Sequence, residues 1–326
     1  MTIQKTAAAL LSSLGILAVI LDGKTALLGA SAGLELCVRT VIPALFPLLF
    51  LCKVLTDALW GQSIPALRPL MHLLGIPQGS EAILIAGFLG GYPAGARAVG
   101  DAYREGRLSK QTAGHLLRFC NNAGPAFLFG MTASRFPGLA VVWKLWLVQI
   151  LSALLTGLLH KAPAGVPVRF PPKRESISTA LQSAVKTTAL ICGWVILFRL
   201  LLAFPEVWLG WKLRPELQTV ISGLLELSIG CCLLEQIPDM AARFVICSLF
   251  LSFGGLCVTM QTLSVLEGLS AWDYLLGKLT QTAVCLCLAL PVYHEKWGIV
   301  LLLWVGVSAC SFLLKKRGSI PAAQRV

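Results

Sequence analysis

Charged side chains are scarce in this sequence. Only 13% of its 326 residues are Asp, Glu, Lys or Arg, about half the share typical of soluble domains. Hydrophobic residues make up 56%, and the mean hydropathy is +0.79. A soluble globular domain is excluded, because such a chain has too few polar side chains to cover its surface. The composition indicates a polytopic membrane protein.

Acidic residues are the scarcer kind of charge. The chain has 15 Asp and Glu against 27 Lys and Arg, which gives a formal net charge of +12. In a soluble protein this excess would suggest a nucleic-acid partner. Here the basic residues fall mainly between apolar runs, so we expect contact with the lipid bilayer and its anionic headgroups, and no nucleic acid. A basic surface would also concentrate an anionic solute.

Catalytic and metal-binding patterns are missing. The four His are scattered, the eleven Cys include no C-x-x-C, and neither H-E-x-x-H nor G-x-S-x-G occurs. Residues 22–25, Asp-Gly-Lys-Thr, are similar to the end of a phosphate-binding loop, but Ala18 stands where that loop needs its first Gly. We therefore expect no metal, no cofactor, no disulfide framework and no enzyme. Whether a proton or sodium serves as a coupling ion stays open.

Long apolar runs dominate what is present. About eight of them can cross a bilayer as helices of about 20 residues: 2–21, 34–59, 112–134, 139–159, 177–204, 241–265, 274–292 and 297–314. We expect residues 1–33 to form a membrane helix followed by an external loop. The helix is predicted to be retained, because the candidate cleavage site at 30–32, Ala-Ser-Ala, lies too far beyond the apolar run for a signal peptide.

Two apolar runs are interrupted where an ordinary membrane helix would stay apolar. They are 87–101, GFLGGYPAGARAVGD, and 118–130, RFCNNAGPAFLFG. In hydrocarbon every backbone N–H and C=O needs a partner within the protein, so broken helices occur only where they are buried or line a wet cavity. These breaks predict a transport site. The alternative is a pair of kinked, Gly-lined helix crossings, which membrane proteins also use.

Two stretches, 81–103, which contains the first of these breaks, and 217–236, have too few apolar residues beside their breaks to cross the membrane. About nine apolar residues precede the first break, and at 1.5 Å each they cover about half the hydrocarbon thickness. Each stretch therefore predicts a re-entrant helical hairpin. The second is expected to break near Glu226, Ser228 and Gly230.

The order of span, hairpin and broken span occurs twice. Residues 34–160 form the first repeat and 177–292 the second, with a basic, Pro-rich linker at 161–176 between them. The last helix and a basic tail occupy 293–326. Asn122-x-Gly124 and Ser252-x-Gly254 fall at matching places in the two repeats.

Charge placement predicts the orientation. If the N-terminus, 104–110, 161–174 and 315–317 all face the cytoplasm, the four basic clusters agree with the preference of Lys and Arg for that side. Both termini are then cytoplasmic, in a multi-pass protein of the inner cell membrane. The second repeat enters from the opposite side to the first, which is the inverted arrangement of many alternating-access transporters.

The interrupted runs also carry a resemblance. G-G-Y-P-A-G-A-R at 90–97 and R-F-C-N-N-A-G-P-A-F at 118–127 resemble the YlbJ-type sporulation integral membrane proteins. These belong to the nucleoside-recognition, or gate domain, group, which is similar to the concentrative nucleoside transporters in repeat plan. The second-half stretches 226–230 and 252–261 resemble that family too. The resemblance implies an eight-helix inner-membrane protein of endospore formers, in a cell or forespore membrane, with dipicolinate as the solute.

The breaks supply the candidate solute-binding residues. Half-helix N-termini favour anions, Gly allows close backbone approach, Asn and Ser add directional hydrogen bonds, and Tyr92 offers a ring for stacking. The candidates are Gly90, Gly91, Tyr92, Pro93, Gly95, Arg97, Arg118, Asn121, Asn122, Gly124, Pro125, Glu226, Ser228, Gly230, Ser252, Gly254, Gly255 and Gln261.

Several alternatives remain open at this stage. Arg97 and Arg118 either contact the solute or lie at the interface in structural roles, and Glu226 either carries a coupling ion, pairs with an Arg or caps a helix. The solute is either an anion such as dipicolinate or a nucleoside. A membrane organiser or receptor whose breaks serve packing is the rival to a transporter. Assembly into a homo-oligomer is also left open.

Overall fold

The structure, a computed structural model, describes residues 3–161, 176–210 and 213–318. This part of the chain consists of helices and the turns between them, and it contains no strand. The helices are α1 (Ile3–Leu21), α2 (Gly23–Leu36), α3 (Ile42–Leu59), α4 (Arg68–Leu74), α5 (Glu81–Leu89), α6 (Ala94–Arg104), α7 (Lys110–Leu117), α8 (Pro125–Thr132), α9 (Leu139–Leu159), α10 (Ile177–Trp208), α11 (Pro215–Leu225), α12 (Leu227–Leu233), α13 (Met240–Phe253), α14 (Gly255–Leu263), α15 (Ala271–Tyr293) and α16 (Trp297–Gly318).

Five helical stretches of the described residues are long and apolar enough to cross a membrane. They are Gly23–Leu59, Leu139–Leu159, Ile177–Trp208, Met240–Leu263 and Ala271–Tyr293. Shorter apolar helices include Ser12–Leu21, Leu227–Gln236 and Trp297–Ala309. The chain is thus an all-helical protein with the spans of a membrane protein, as its composition predicts.

The prediction of an external loop before residue 34 is wrong, because residues 23–36 form the helix α2. Only Asp22 interrupts the helices there, and its Oδ1 accepts a hydrogen bond from the Thr25 N–H as the N-cap of α2. A π-helical turn, Cys37–Val41, joins α2 to α3, so that 23–59 is one helical stretch. The segment is helical because small residues on α2 pack closely against α10, which the sequence of α2 alone does not reveal.

The contacts of α2 and α3 with α10 show that these helices are antiparallel. A Cβ added at Gly29 would lie 2.7 Å from the Cβ of Ala203, and one at Gly33 would lie 2.8 Å from the Cα of Ile196. As the residue number rises along α2, that of its partner falls along α10. Such close contact between small residues is the usual way in which helices associate in membranes.

The other pair of long helices, α9 and α15, is antiparallel too. The Lys144 ammonium donates to the Tyr293 carbonyl at 3.2 Å near the start of α9. At the other end of α9, His160 Nε2 and Thr280 Oγ1 lie 2.9 Å apart. Long helices at matching places in the two repeats therefore run in opposite directions.

Each of the two stretches for which a re-entrant hairpin is predicted forms a pair of short helices, α5–α6 and α11–α12. In α5–α6, a Cβ added at Gly95 would meet the Cys120 carbonyl oxygen and lie 2.7 Å from the Gly87 Cα. In α11–α12, Gly230 packs directly on Gly223. The second break is narrower than predicted, because only Glu226 has extended backbone and Ser228 and Gly230 lie within α12.

Both broken spans are interrupted close to the predicted places. Residues 118–124 separate α7 from α8, and Gly254, with φ of 84°, separates α13 from α14. A Cβ added at Gly124 would lie 2.8 Å from the Gly91 nitrogen, and one at Gly255 would lie 3.1 Å from the Gly223 carbonyl oxygen. Each hairpin therefore packs on the break that follows it in sequence.

The turns after the two hairpins lie at opposite ends of the molecule. Arg104, at the end of α6, pairs with Glu267 just before α15, and Arg135, just before α9, pairs with Glu235 after α12. Because α9 and α15 are antiparallel, their first residues mark opposite ends of the helix bundle.

Two smaller predictions concern boundaries. The loop expected from residue 205 begins later, since α10 continues through Pro205 to Trp208, and α11 already begins at Pro215. Most of the predicted linker (162–175) and the end of the basic tail (319–326) lie outside the described residues.

Candidate functional site

A small cavity lies between segments of the two predicted repeats. Its polar and glycine lining comes from Tyr92 and Gly124 of the first repeat and from Glu226, Ser228 and Gln261 of the second. Apolar side chains complete the wall: Val41, Leu45, Ala123, Phe127, Ile191, Val195, Leu227 and Val258. The cavity measures about 30 Å³, room for about two water molecules. Five residues predicted from the sequence thus line one cavity.

Tyr92 links the first hairpin to the second repeat. Gly91 before it has φ of 79°, a backbone conformation that Gly adopts without strain and that turns Tyr92 inward at the end of α5. The Tyr92 hydroxyl donates to the Leu251 carbonyl at 2.9 Å, near the end of α13. A Cβ added at Gly254 would lie 3.4 Å from the Tyr92 ring, so the break between α13 and α14 leaves room for this ring.

Glu226 is the N-cap of the short helix α12. Its carboxyl side chain is 1% exposed and accepts a hydrogen bond from the Ile229 N–H at 2.8 Å, at the N-terminus of α12. The capping interpretation is therefore confirmed, while the carboxyl group still lines the cavity. Negative charge is favourable at a helix N-terminus, which offsets part of the cost of burying it.

Gln261 presents an amide with little competition for its hydrogen bonds. Among the described residues, its Nε2 donates a hydrogen bond only to the Cys257 sulfur, at 3.2 Å, one turn earlier in α14. Sulfur is a weak acceptor. Gln261 therefore retains donor capacity toward the cavity.

Asn121 supports the first hairpin and does not line the cavity. Its Oδ1 accepts from the Ala96 N–H at 3.3 Å, and its Nδ2 donates to Thr262 Oγ1 at 3.0 Å. The N-terminus of α6, predicted to face an anion, thus has one of its free N–H groups occupied by Asn121.

The structure adds a buried lysine that the sequence interpretation missed. Lys278 of α15 is 1% exposed. Its ammonium donates to Gln281 Oε1 at 2.8 Å, to the Tyr92 hydroxyl at 3.0 Å and to the Ser252 carbonyl at 3.3 Å. The ammonium also lies 4.8 Å from the centre of the Tyr92 ring. One side chain therefore joins the break of the first hairpin to the end of α13.

Asn122 continues this network through Gln281. Gln281 Nε2 donates to Asn122 Oδ1 at 2.7 Å, and Asn122 Nδ2 donates to the Phe119 carbonyl at 2.8 Å. The carbonyl can only accept, so it fixes the orientation of both amides. Asn122 is thus a member of the Lys278 network and is absent from the cavity wall.

The sequence itself contains a signal for this network, a lysine and a glutamine inside an apolar run. Lys278 and Gln281 stand three residues apart within the apolar run 274–292. An ionisable residue inside such a run is costly and usually has a specific role. Its partners could not be read from the run itself, because they come from distant segments.

Arg97 and Arg118 lie away from the cavity. Arg97 donates to Ser183 at 2.9 Å and to Thr187 on α10, and its Nε is 3.7 Å from Asp101. Arg118 pairs with Asp273 at 2.6 Å. Both guanidinium groups therefore join helices through polar partners, which agrees with the structural alternative for them.

The remaining candidates shape the backbone. Ser252 contributes its carbonyl to Lys278, while its hydroxyl donates to the Ser248 carbonyl one turn back. Turns, helix starts and close contacts account for the other residues: Gly90, Gly91, Pro93, Gly95, Gly124, Pro125, Gly230, Gly254 and Gly255. They determine where the helices break, so that Tyr92 and Glu226 can face the same space.

Comparison with known proteins gives no match. Neither a protein-family model, nor a curated protein, nor a solved structure matches this chain. Within the described residues, no group of three His, Cys, Asp or Glu side chains is placed to hold a metal ion. A function is therefore inferred from the geometry of the cavity and of the Lys278 network.

Proposed function

We propose that this chain is a membrane transporter of a small anionic or heteroaromatic solute. One observation carries the proposal: polar and glycine residues from the helix breaks of both repeats enclose a single cavity. Broken helices are costly in hydrocarbon unless they serve a buried polar site. Transport sites near the membrane midplane are built in this way.

The antiparallel pairing of corresponding long helices supports an inverted repeat. With α1, α2–α3, α7–α8, α9, α10, α13–α14, α15 and α16 crossing and two re-entrant hairpins, the chain has eight spans and both termini in the cytoplasm. The basic turn after the first hairpin then faces the cytoplasm, in agreement with the usual bias of Lys and Arg. In such a fold the two repeats open to opposite sides of the membrane.

The small cavity fits a closed state of an alternating-access cycle. Ligand pockets usually measure at least ~300 Å³, whereas this space is about 30 Å³. Gly124 and Gly255 contact the hairpins through backbone atoms, so hairpin movement need not disengage interlocked side chains. Displacement of either hairpin would enlarge the cavity toward one side.

The resemblance to the YlbJ-type sporulation proteins makes dipicolinate the first solute to test, in the inner or forespore membrane of an endospore former. Tyr92 offers a ring face for a planar heteroaromatic compound, and Gln261 offers an amide donor. A nucleoside shares these features and is the second solute to test.

The test is uptake into proteoliposomes with radiolabelled dipicolinate and uridine, under a sodium gradient, a proton gradient and no gradient. We expect saturable uptake of dipicolinate. Gln261→Leu should lower it about tenfold, the effect of losing one buried hydrogen bond of about 1.4 kcal/mol. Gln182→Leu, at an exposed position of α10, is the matched control and should transport like the unmodified protein.

Uptake of uridine alone would keep the transporter and discard the anionic solute. If neither solute moves under any gradient while the protein is folded and monodisperse, the transport proposal fails. The breaks would then serve packing in a membrane organiser or receptor.

A further inference from the structure

We propose that the Lys278 ammonium is the group that binds the carboxylate of an anionic solute. Its role in transport rests on the function proposed above, whereas its role in anion binding can be measured separately. Lys278 lies on α15 and touches Tyr92 of the cavity wall and Ser252 at the end of α13.

The hydrogen bonds indicate that Lys278 is charged in this state. An ammonium has three N–H donors, and three acceptors surround it. The Ser252 carbonyl can only accept, and the Tyr92 hydroxyl gives its own proton to the Leu251 carbonyl. The orientation of Gln281, fixed through Asn122, also turns an oxygen toward the ammonium.

This charge has no acidic partner among the described residues. Its three hydrogen-bond acceptors are all neutral, and the neighbouring titratable side chains, Cys285 beside Lys278 and Tyr274 beside Tyr92, carry no negative charge in their ordinary protonated forms. A buried charge without a counter-ion is costly. Binding an anion beside it would offset that cost, which gives an anionic solute an advantage over a neutral one.

Among the described residues, Glu226 supplies the only carboxyl group of the cavity wall, and this group is already engaged. Glu226 accepts a hydrogen bond from the Ile229 N–H at the N-terminus of α12 and makes no ion pair with Lys278. Arg97 and Arg118, by contrast, each have an acidic partner, Asp101 and Asp273 respectively. Lys278 therefore differs from both arginines in having its charge unbalanced.

Tyr92 separates the ammonium from the cavity. Its ring lines the cavity, while its hydroxyl and the Ser252 carbonyl occupy two of the three acceptor positions around Lys278. The two oxygens of a carboxylate can replace those two acceptors. Movement of Tyr92, on the hinge of the first hairpin, would therefore expose Lys278 to a solute in the cavity.

The test compares two probes that differ in charge and share a ring: pyridine-2,6-dicarboxylate and pyridine-2,6-dicarboxamide. Binding to the purified full chain in detergent is measured by titration calorimetry. We expect the dianion to bind at least tenfold tighter than the diamide. Lys278→Met should remove that preference, and Lys278→Arg should keep part of it. Lys186→Met, at an exposed position of α10, should change neither affinity.

A second variant, Tyr92→Phe, tests the proposal even if Lys278→Met does not fold. Tyr92→Phe keeps the ring and removes one acceptor from the ammonium, so the dianion should bind at least as tightly as to the unmodified protein. A loss of dianion affinity in this variant would contradict the proposal, because it would assign the binding to the Tyr92 hydroxyl.

The remaining outcomes separate the two proposals. If the unmodified protein does not prefer the dianion, or if Lys278→Met binds it equally well, the proposed role of Lys278 in anion binding is overturned, even where uridine is transported. If the dianion binds in a Lys278-dependent way but is not taken up into proteoliposomes, the role of Lys278 in anion binding stands and the transport proposal fails.

Discussion

Gly95 and Gly230 lie at positions where no side chain fits. A Cβ at Gly95 would collide with the Cys120 carbonyl oxygen, and one at Gly230 would collide with the Cα of Gly223. Both contacts are between backbones, so neither neighbour can move aside as a flexible side chain would. Close packing of this kind seats the first hairpin on the break at 118–124 and lets the second hairpin fold back on itself.

We predict that Gly95→Ala destabilises the protein by about 3 kcal/mol or more, at the upper end of overpacking effects, because the obstacle is backbone. The thermal midpoint of the purified protein in detergent measures the loss. Gly130→Ala in α8 is the control: nothing lies within 4 Å of its Cβ, and it should be neutral or stabilising by up to about 1 kcal/mol. Equal midpoints for the two variants would contradict the hairpin packing.

Single residues also show how far sequence reasoning reaches. Tyr92 and Glu226 were identified because each interrupts an apolar run, and both line the cavity. Lys278 also stands in an apolar run, but no helix break marks it. Arg97 drew attention by its charge, yet its partners on α10 place it elsewhere. A local sequence pattern reveals an unusual residue and does not reveal what it touches.

At the scale of elements, each broken helix is held by its neighbours. The short α7 rests on α15, where Gly277 packs against the backbone of Arg118 and Arg118 pairs with Asp273. The side chains of this pair are 26% and 25% exposed. A partly buried ion pair between two helices should contribute more than one on the surface.

We predict a coupling energy of about 1 kcal/mol between Arg118 and Asp273 in a double-mutant cycle of Arg118→Gln and Asp273→Asn. The free energy of unfolding, from denaturant titration in mixed micelles, is the quantity measured. The exposed pair Glu35 and Arg39, with side chains 60% and 77% exposed, is the control and should couple by less than about 0.5 kcal/mol. If the coupling energy between Arg118 and Asp273 is as small as that of the control pair, α7 is held on α15 by packing alone.

At the scale of the whole molecule, the long helices form two antiparallel pairs, α2–α3 with α10 and α9 with α15. The contacts of Arg104 with Glu267 and of Arg135 with Glu235 place the turns after the two hairpins at opposite ends. If these helices cross a bilayer, the two turns must face different compartments.

We predict that single cysteines in these turns label from opposite sides of the membrane. In intact cells a membrane-impermeant maleimide should modify Pro238→Cys and leave Lys110→Cys unmodified until the membrane is opened. Both positions are exposed, and the unsubstituted chain gives the background from its native cysteines. Labelling of both from one side would contradict the inverted arrangement.

The sequence by itself determined the helical membrane class and the places where helices break. Those properties follow from local chemistry, because apolar length, Gly, Pro and buried polar residues constrain the chain wherever they occur. The tertiary structure alone decided that residues 23–33 are helical and that Lys278 meets Tyr92. These features depend on contacts between segments more than 100 residues apart, as for Lys278 and Tyr92 at a separation of 186, and no local pattern encodes which distant side chain completes a hydrogen bond.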